Sequence, residues 1–175
     1  FDLSIKMCYY IDKEIDKENQ TMKLIKSIYK APVVVKEYCE EQGITFVIIN
    51  YNGKNFYGTA ILSKQDEGFY SKKVGYNIAL SKARIQALKY SYEKEKNKLN
   101  TRKQFYQEVL GFGAKTSAEV DPSNAFHHNI ARIESRLSAI KSALDKEEDM
   151  LNKYIVGQDK AIESVKRFRR KANDN

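Results

Sequence analysis

The dipeptide Asn52-Gly53 constrains the fold of this chain more than any other feature. It separates two runs rich in β-branched and aromatic residues, residues 44–51 and 54–62. Asn-Gly readily supplies the two positive φ angles of a tight turn, so the two runs are predicted to pair as antiparallel strands. A small hairpin-centred sheet is therefore expected in a chain whose other segments have helical periodicity.

Helical periodicity is present on both sides of the hairpin. Apolar residues recur at three- and four-residue spacings over residues 2–29, and again from Val74 until Gly111 and Gly113 end the pattern. Pro32 interrupts the first pattern and predicts a second short helix, about residues 33–42. Phe69 and Tyr70 are predicted to begin a short third strand. The predicted class is α+β, a small antiparallel sheet packed on helices.

The last third of the chain has a heptad pattern, with two apolar series through residues 126–168. Such a pattern predicts a long helical or coiled-coil extension that packs on a partner helix. The partner could be the helix from Val74, a second copy of the chain (a homodimer), or another protein. One helix of about forty residues would span ~60 Å, so we expect two helices, divided near 145–149 or at Gly157. The seam is predicted to comprise Ile130, Ile133, Leu137, Ile140, Leu144 and Leu151.

These patterns divide the chain into three predicted segments. Residues 1–31 form an N-terminal helix, residues 32–113 an α+β module, and residues 114–175 a helical extension with a basic tail. The net charge of +8 is concentrated in the module, because residues 43–92 hold seven basic and two acidic side chains. Concentrated positive charge favours a polyanion as partner. The predicted nucleic-acid-binding residues are Lys54, Lys72, Lys73, Lys82, Arg84 and Lys89.

Several classes of protein are disfavoured by what the sequence lacks. Cys8 and Cys39 have no metal-ligand spacing, and the adjacent His127 and His128 point about 100° apart on a helix, so we expect no metal site. There is no nucleophile elbow and no phosphate loop, so we expect no catalysis and no cofactor. The longest apolar runs fall far short of the ~20 residues of a membrane helix. A cytoplasmic protein without a membrane partner is expected.

Short motifs follow one another along the α+β module: Pro32-Val33, Glu37-Tyr38-Cys39 and Gly43 before the hairpin, then Ser71-Lys72-Lys73 and Val74-Gly75-Tyr76-Asn77-Ile78-Ala79 after it. This succession is similar to the double-stranded-RNA-binding domain family. The resemblance implies a helix–three strands–helix fold and lysines at the start of the second helix that meet phosphates. With residues 33–42 taken as a helix, the family's first strand has no counterpart, and its third lysine falls on Tyr76.

Two further segments resemble known proteins. Residues 69–85 look like small proteins of phages of low-GC bacteria, which implies a role in host takeover or evasion of defence. Residues 151–161, with Val156-Gly157-Gln158-Asp159 at their centre, are similar to the segment before the phosphate loop in Clp/HslU-type AAA+ ATPases. No phosphate loop follows in this chain, so ATP hydrolysis does not carry over.

Three hypotheses follow for the function. The first is a non-enzymatic nucleic-acid-binding accessory protein that contacts the phosphate backbone through a basic face. The second is a phage-encoded inhibitor that docks on a host defence nucleoprotein, of the anti-CRISPR type. The third is a coiled-coil assembly protein.

Overall fold

The computed structural model of the protein describes residues 21–111 and 122–173, and it has an α+β fold with a long C-terminal helix. The predicted class is confirmed. The elements, in chain order, are helix α1, described over residues 21–29, strands β1 (Val33–Cys39), β2 (Ile44–Tyr51) and β3 (Lys54–Ile61), a 3-10 segment (Lys64–Phe69), and helices α2 (Lys72–Gly111) and α3 (Pro122–Asn173). The N-terminal part of the predicted first helix, residues 2–20, lies outside the described residues.

The three strands form one antiparallel sheet in the order β1-β2-β3. The predicted hairpin is confirmed: β2 and β3 pair without interruption from Ile44↔Ile61 to Tyr51↔Lys54. Its turn residues Asn52 and Gly53 have φ of 51° and 73°, the positive angles that this dipeptide tolerates. The central strand is therefore the one whose position the sequence determines best.

The predicted short helix at residues 33–42 is wrong, because this segment forms β1 and its following turn. The segment begins with three consecutive valines, Val33–Val35, whose branched side chains favour extended backbone. Pro32 is tolerated at the start of an edge strand, and its carbonyl accepts a hydrogen bond from Asn50 N at 3.0 Å. Pairing with β2 thus outweighs the helix-start signal of the proline.

The predicted strand at Phe69-Tyr70 is also wrong. Phe69 ends the 3-10 segment, and Tyr70 lies in the short link before α2. The Tyr70 hydroxyl is 2.7 Å from Thr45 Oγ1, a hydrogen bond between this link and β2. Tyr70 therefore holds the start of α2 against the sheet.

One face of the sheet is covered by α2. Alternate residues of β2 and β3 are buried, among them Val47 and Ile49 on β2 and Ala60 on β3. A Cβ atom at Gly58 would overlap the carbonyl oxygen of Ala79 and would lie 2.7 Å from Ala83 N. The helix backbone thus packs directly on β3 at a residue that has no side chain.

Helix α3 is continuous, so the predicted division of the C-terminal segment is wrong. Gly157 lies inside the helix with open space around its Cα, and glycine there costs only about 1 kcal/mol relative to alanine. The buried face also drifts from the heptad: Ile162 is buried, whereas Ala161 is exposed. Around the axis of a straight helix, Ile162 lies about 40° from Ile140, whereas Ala161 lies about 60° from Ile140. The heptad does not predict this, because a helix with 3.6 residues per turn drifts relative to a seven-residue repeat.

The chain forms two compact units, each built from two separate stretches. Among the described residues, the bundle unit comprises residues 21–27, 89–111 and 122–143, and the sheet unit comprises residues 28–88 and 144–173. Both long helices contribute residues to both units. The predicted boundaries at residues 31/32 and 113/114 stay predictions. None of the described helices is long and apolar enough to cross a membrane.

A buried carboxylate lies in the sheet unit. Glu147 on α3 has no exposed surface, and neither of its oxygens makes a well-aligned hydrogen bond within the described residues. Burial raises the pKa of Tyr29 to about 12, and the nearby Glu147 carboxylate adds to the rise, while the Arg84 guanidinium opposes it. The Tyr29 hydroxyl therefore keeps its proton next to a buried acceptor.

We expect Gly58→Ala to lower the free energy of unfolding by about 1–3 kcal/mol, because the added methyl group has no space between β3 and α2. Gly157→Ala is the matched control. It adds the same methyl group inside a helix with open space, so it should raise the stability by about 0.5–1 kcal/mol. Urea unfolding followed by circular dichroism measures both changes. Equal effects of the two substitutions would contradict the close packing at Gly58.

We expect stability to fall as the pH rises from 10 to 12. The folded protein binds the Tyr29 proton more tightly than the unfolded chain, whose tyrosine has the ordinary pKa of 10.0. The resulting stabilisation is complete below pH 10 and is lost through the folded pKa of about 12. Urea unfolding over this pH range should show a shallower fall for Tyr29→Phe than for the parent protein. The exposed Tyr57→Phe is the control, and a fall unchanged in Tyr29→Phe would contradict the assignment.

Candidate nucleic-acid interface

Two lysines and two tyrosines meet in the sheet unit, where β1 passes the start of α2. The ammonium nitrogen of Lys36 lies 5.8 Å from the centre of the Tyr38 ring and 5.5 Å from the centre of the Tyr76 ring. The ammonium nitrogen of Lys72 lies 5.9 Å from the centre of the Tyr38 ring. These separations fall within the ~6 Å over which a cation is attracted to an aromatic face. Lys36, Tyr38, Lys72 and Tyr76 are called the Lys–Tyr cluster below.

The periodicities of a strand and a helix bring these four residues together. Lys36 and Tyr38 are two apart on β1, so their side chains share one face of the sheet. Their partners on β2 are Val47 and Thr45, which are buried on the face covered by α2. Lys72 and Tyr76 are four apart on α2 and share one face of the helix.

The start of α2 adds hydrogen-bond donors to this surface. Ser71 caps the helix, since its side-chain oxygen accepts a hydrogen bond from Val74 N at 3.4 Å. The first turn contains no acidic residue, although acids are favoured there by the helix dipole. Lys72 and the exposed Lys73 occupy the first two positions of this turn instead. The first turn of α2 is therefore positive from both its side chains and its backbone.

The carboxylate of Glu40 would compete with an incoming anion for the Lys–Tyr cluster. Glu40, which follows β1, forms an ion pair with Lys72 at 2.5 Å, and both side chains are more than half exposed. The hydrogen bond and the charge of Glu40 raise the pKa of Lys72 above its ordinary value, so the ammonium is charged at neutral pH. Exposed ion pairs contribute little free energy, so an incoming anion can displace Glu40.

The structure brings only Lys72 and Lys73 together among the six basic residues predicted from the sequence. The Lys82 ammonium donates to the Thr59 carbonyl at 2.8 Å, at the β3 edge of the sheet. Arg84 is half-buried and donates to the Tyr29 carbonyl at 3.3 Å, with its guanidinium 5.1 Å from the centre of the Tyr29 ring.

The remaining two predicted residues lie elsewhere. Lys54 begins β3 beside the hairpin turn, and Lys89 belongs to the bundle unit. Lys36 and Tyr38 were not predicted, because a helix over residues 33–42 would separate their side chains by about 200°. The alternation of residues 36 and 38 after the valine run was the signal that could have identified them.

The predicted seam residues divide between the two units. In the bundle unit, Ile130, Ile133 and Leu137 form a buried cluster with Leu99 of α2, and the half-buried Tyr92 packs against it. Helix α2 thus supplies a partner for this part of the seam. Ile140 is fully buried, and Leu144 and Leu151 are half-buried in the sheet unit. Homodimerisation and pairing with another protein stay predictions.

The segment that resembles AAA+ ATPases has a structural contact in the sheet unit. The Gln158 amide nitrogen donates to the Phe69 carbonyl at 3.2 Å, which ties α3 to the 3-10 segment. Lys166 and Asp66 form an ion pair at 2.5 Å between the same two elements. The likeness itself stays a prediction.

The arrangement of side chains offers charge and aromatic surface for binding. Within residues 21–111 and 122–173, no three histidine, cysteine, aspartate or glutamate side chains converge as metal ligands would. The described order is a helix, three antiparallel strands and a helix, but the first helix is residues 21–29, and the segment 33–42 that the resemblance takes as a helix forms β1. The resemblance to the double-stranded-RNA-binding domain family stays a prediction. Comparison of the chain with family models, curated proteins and solved structures finds no match.

Proposed function

We propose that this chain binds the phosphate backbone of duplex RNA, without catalysis, through the Lys–Tyr cluster, Lys73 and the first turn of α2. One observation carries the proposal: the ammonium groups of Lys36 and Lys72 lie over two tyrosine rings beside a helix start that has no acidic residue in its first turn. This combination of charge, aromatic surface and amide donors suits a sugar-phosphate backbone.

Each component of the surface has a role in the proposal. The ammonium groups neutralise phosphates and release counterions, which supplies most of the affinity. Among the amides that begin α2, Val74 N donates to the Ser71 side chain and Gly75 N donates to the Ser71 carbonyl. The amides of Lys72 and Lys73 can donate to a phosphate oxygen. Tyr38 and Tyr76 are half-buried, so their rings are held in place and can pack against a ribose of the backbone.

The choice of duplex RNA rests on two supports. The first is the order of elements, with a lysine pair at the start of the helix that follows the sheet. The second is the sequence resemblance to the double-stranded-RNA-binding domain family, whose members meet phosphates across a groove with such lysines. Inhibition of a host nucleoprotein and coiled-coil assembly stay predictions from the sequence.

We expect Lys36→Glu combined with Lys72→Glu to weaken binding of a duplex RNA of about 20 base pairs by about tenfold or more, because two charges are reversed and the net charge at the proposed contact falls by four units. The matched control is Lys146→Glu with Lys160→Glu, which makes the same charge change at exposed positions on α3. Fluorescence anisotropy at about 50 and 200 mM salt measures both pairs.

The two variants separate a local contact from general electrostatic attraction. An equal loss of RNA affinity in the two double variants would show that the net charge of the protein, and not the Lys–Tyr cluster, determines the affinity. Binding by the parent protein that does not change between the two salt concentrations would contradict phosphate contact altogether. Co-purification with a protein in place of nucleic acid, unaffected by nuclease, would favour the inhibitor hypothesis.

We expect Glu40→Gln to strengthen binding of the same RNA by about two- to threefold, because Lys72 loses its competing carboxylate. Glu134→Gln is the matched control, since Glu134 forms a comparable exposed ion pair with Lys103 at 3.0 Å in the bundle unit. Anisotropy titration at low salt compares the two variants. Unchanged or weaker binding by Glu40→Gln would remove Lys72 from the interface.

A further inference from the structure

The bundle unit contains a cleft between α2 and α3 with a volume of about 790 Å³. The two helices run in opposite directions there, since Glu95 contacts Arg136, whereas Lys103, two turns later, contacts Glu134. Residues at helical spacings on both elements line the cleft, from Tyr90 to Arg102 on α2 and from Asn129 to Arg136 on α3. Its volume is in the range of about 300–1,000 Å³ that is typical of small-molecule sites.

The floor of the cleft has buried polar atoms without hydrogen-bond partners. Glu95 is only 3% exposed, and its Oε1 accepts from Lys98 Nζ at 2.5 Å. Its Oε2 is 3.9 Å from Arg136 Nη1 and makes no hydrogen bond within the described residues. Arg132 Nε is likewise buried without a hydrogen-bond partner among those residues. Glu95 and Arg132, the residues that carry this buried acceptor and this buried donor, both line the cleft, and buried polar atoms without a partner are rare.

The charge of the lining is strongly positive. Five basic and two acidic side chains contribute to it, a formal net charge of +3. Lys98 and Arg136 lie against Glu95. Among the described residues, Lys94, Arg102 and Arg132 form no ion pair with a carboxylate, so three cations of the cleft are available to a ligand. Arginine in particular matches the geometry of a phosphate group.

We propose that this cleft binds a phosphate ester the size of a mononucleotide. Arg132, Arg102 and Lys94 hold the phosphate, which satisfies the buried Arg132 Nε. Glu95 Oε2 accepts a hydrogen bond from a hydroxyl or amino group of the nucleoside, a contact that inorganic phosphate cannot make while the three cations hold it.

The shape of the cleft suits a nucleoside as the rest of the ligand. The half-buried Tyr90 and the buried Ile133 provide an aromatic and an aliphatic wall for a flat base. Tyr90 belongs to α2 and Ile133 belongs to α3, so both helices contribute apolar surface to the lining of the cleft. The residues belong to the bundle unit, so this inference does not depend on the RNA-binding surface of the sheet unit.

Isothermal titration calorimetry with AMP, adenosine and inorganic phosphate tests the proposal on the full chain. We expect AMP to bind more tightly than either adenosine or phosphate alone, because only AMP engages the cations and Glu95 together. Arg132→Gln should weaken AMP binding by about tenfold or more, since a charged hydrogen-bond donor is lost. Lys141→Gln, an exposed residue of α3 outside the lining, is the control and should bind AMP as the parent protein does.

A second variant keeps the test valid if Arg132→Gln disturbs folding. Lys94→Gln with Arg102→Gln changes only exposed side chains at the rim, and it should weaken AMP binding while the thermal unfolding midpoint stays that of the parent. AMP binding that is undetectable, or that both variants leave unchanged, would overturn the proposal. So would equal affinities for AMP and inorganic phosphate. The Lys36→Glu, Lys72→Glu variant should bind AMP normally, and a loss there would place the site in the sheet unit instead.

Discussion

The backbone contact between β3 and α2 determines where the binding surface of the sheet unit can form. Gly58 faces Ala79 and Ala83, both fully buried, and no side chain fits between the strand and the helix. The same closeness recurs one turn earlier, where a Cβ atom at Gly75 would overlap the Thr45 hydroxyl. Because α2 lies this near to the sheet, its first turn comes within reach of β1. Side chains of ordinary length on the two elements then meet as the Lys–Tyr cluster.

Each unit has one buried carboxylate on a long helix, Glu147 in the sheet unit and Glu95 in the bundle unit. Glu147 occupies a heptad position of α3, and Glu95 lies on α2 near the apolar cluster around Leu99. A buried charge requires a partner, and each of these has one nearby: the Tyr29 hydroxyl for Glu147, and Lys98 and Arg136 for Glu95. Such groups add little net stability. In a shifted register of either helix, the carboxylate would lie away from these neighbouring groups.

The parts of the fold that the sequence predicts are those with local causes. The turn at Asn52-Gly53 needs only its own two residues, so the hairpin could be located with its strand ends. The strand nature of β1 depends on pairing with β2 and was hidden by the helix-start signal of Pro32. That error also concealed half of the candidate site, because residues 36 and 38 lie on one face of a strand but on different faces of a helix. Lys72 and Lys73 were predictable, since they precede an obvious helical pattern.

The charge available to a ligand differs from the charge counted along the sequence. The stretch 43–92 has the largest surplus of basic residues, yet Lys82 and Arg84 in it donate to backbone carbonyls of the sheet unit itself. Outside that stretch, Lys94, Arg102 and Arg132 line one cleft. The segments that contain them, residues 93–120 and 121–175, each have a formal net charge of only +2. Counting cannot distinguish these cases, because internal hydrogen bonds and the spacing of helical turns decide which ammonium and guanidinium groups face solvent together. The charge of a sequence window therefore favours a polyanion as ligand, whereas the packing of α2 determines which lysines and arginines can meet it.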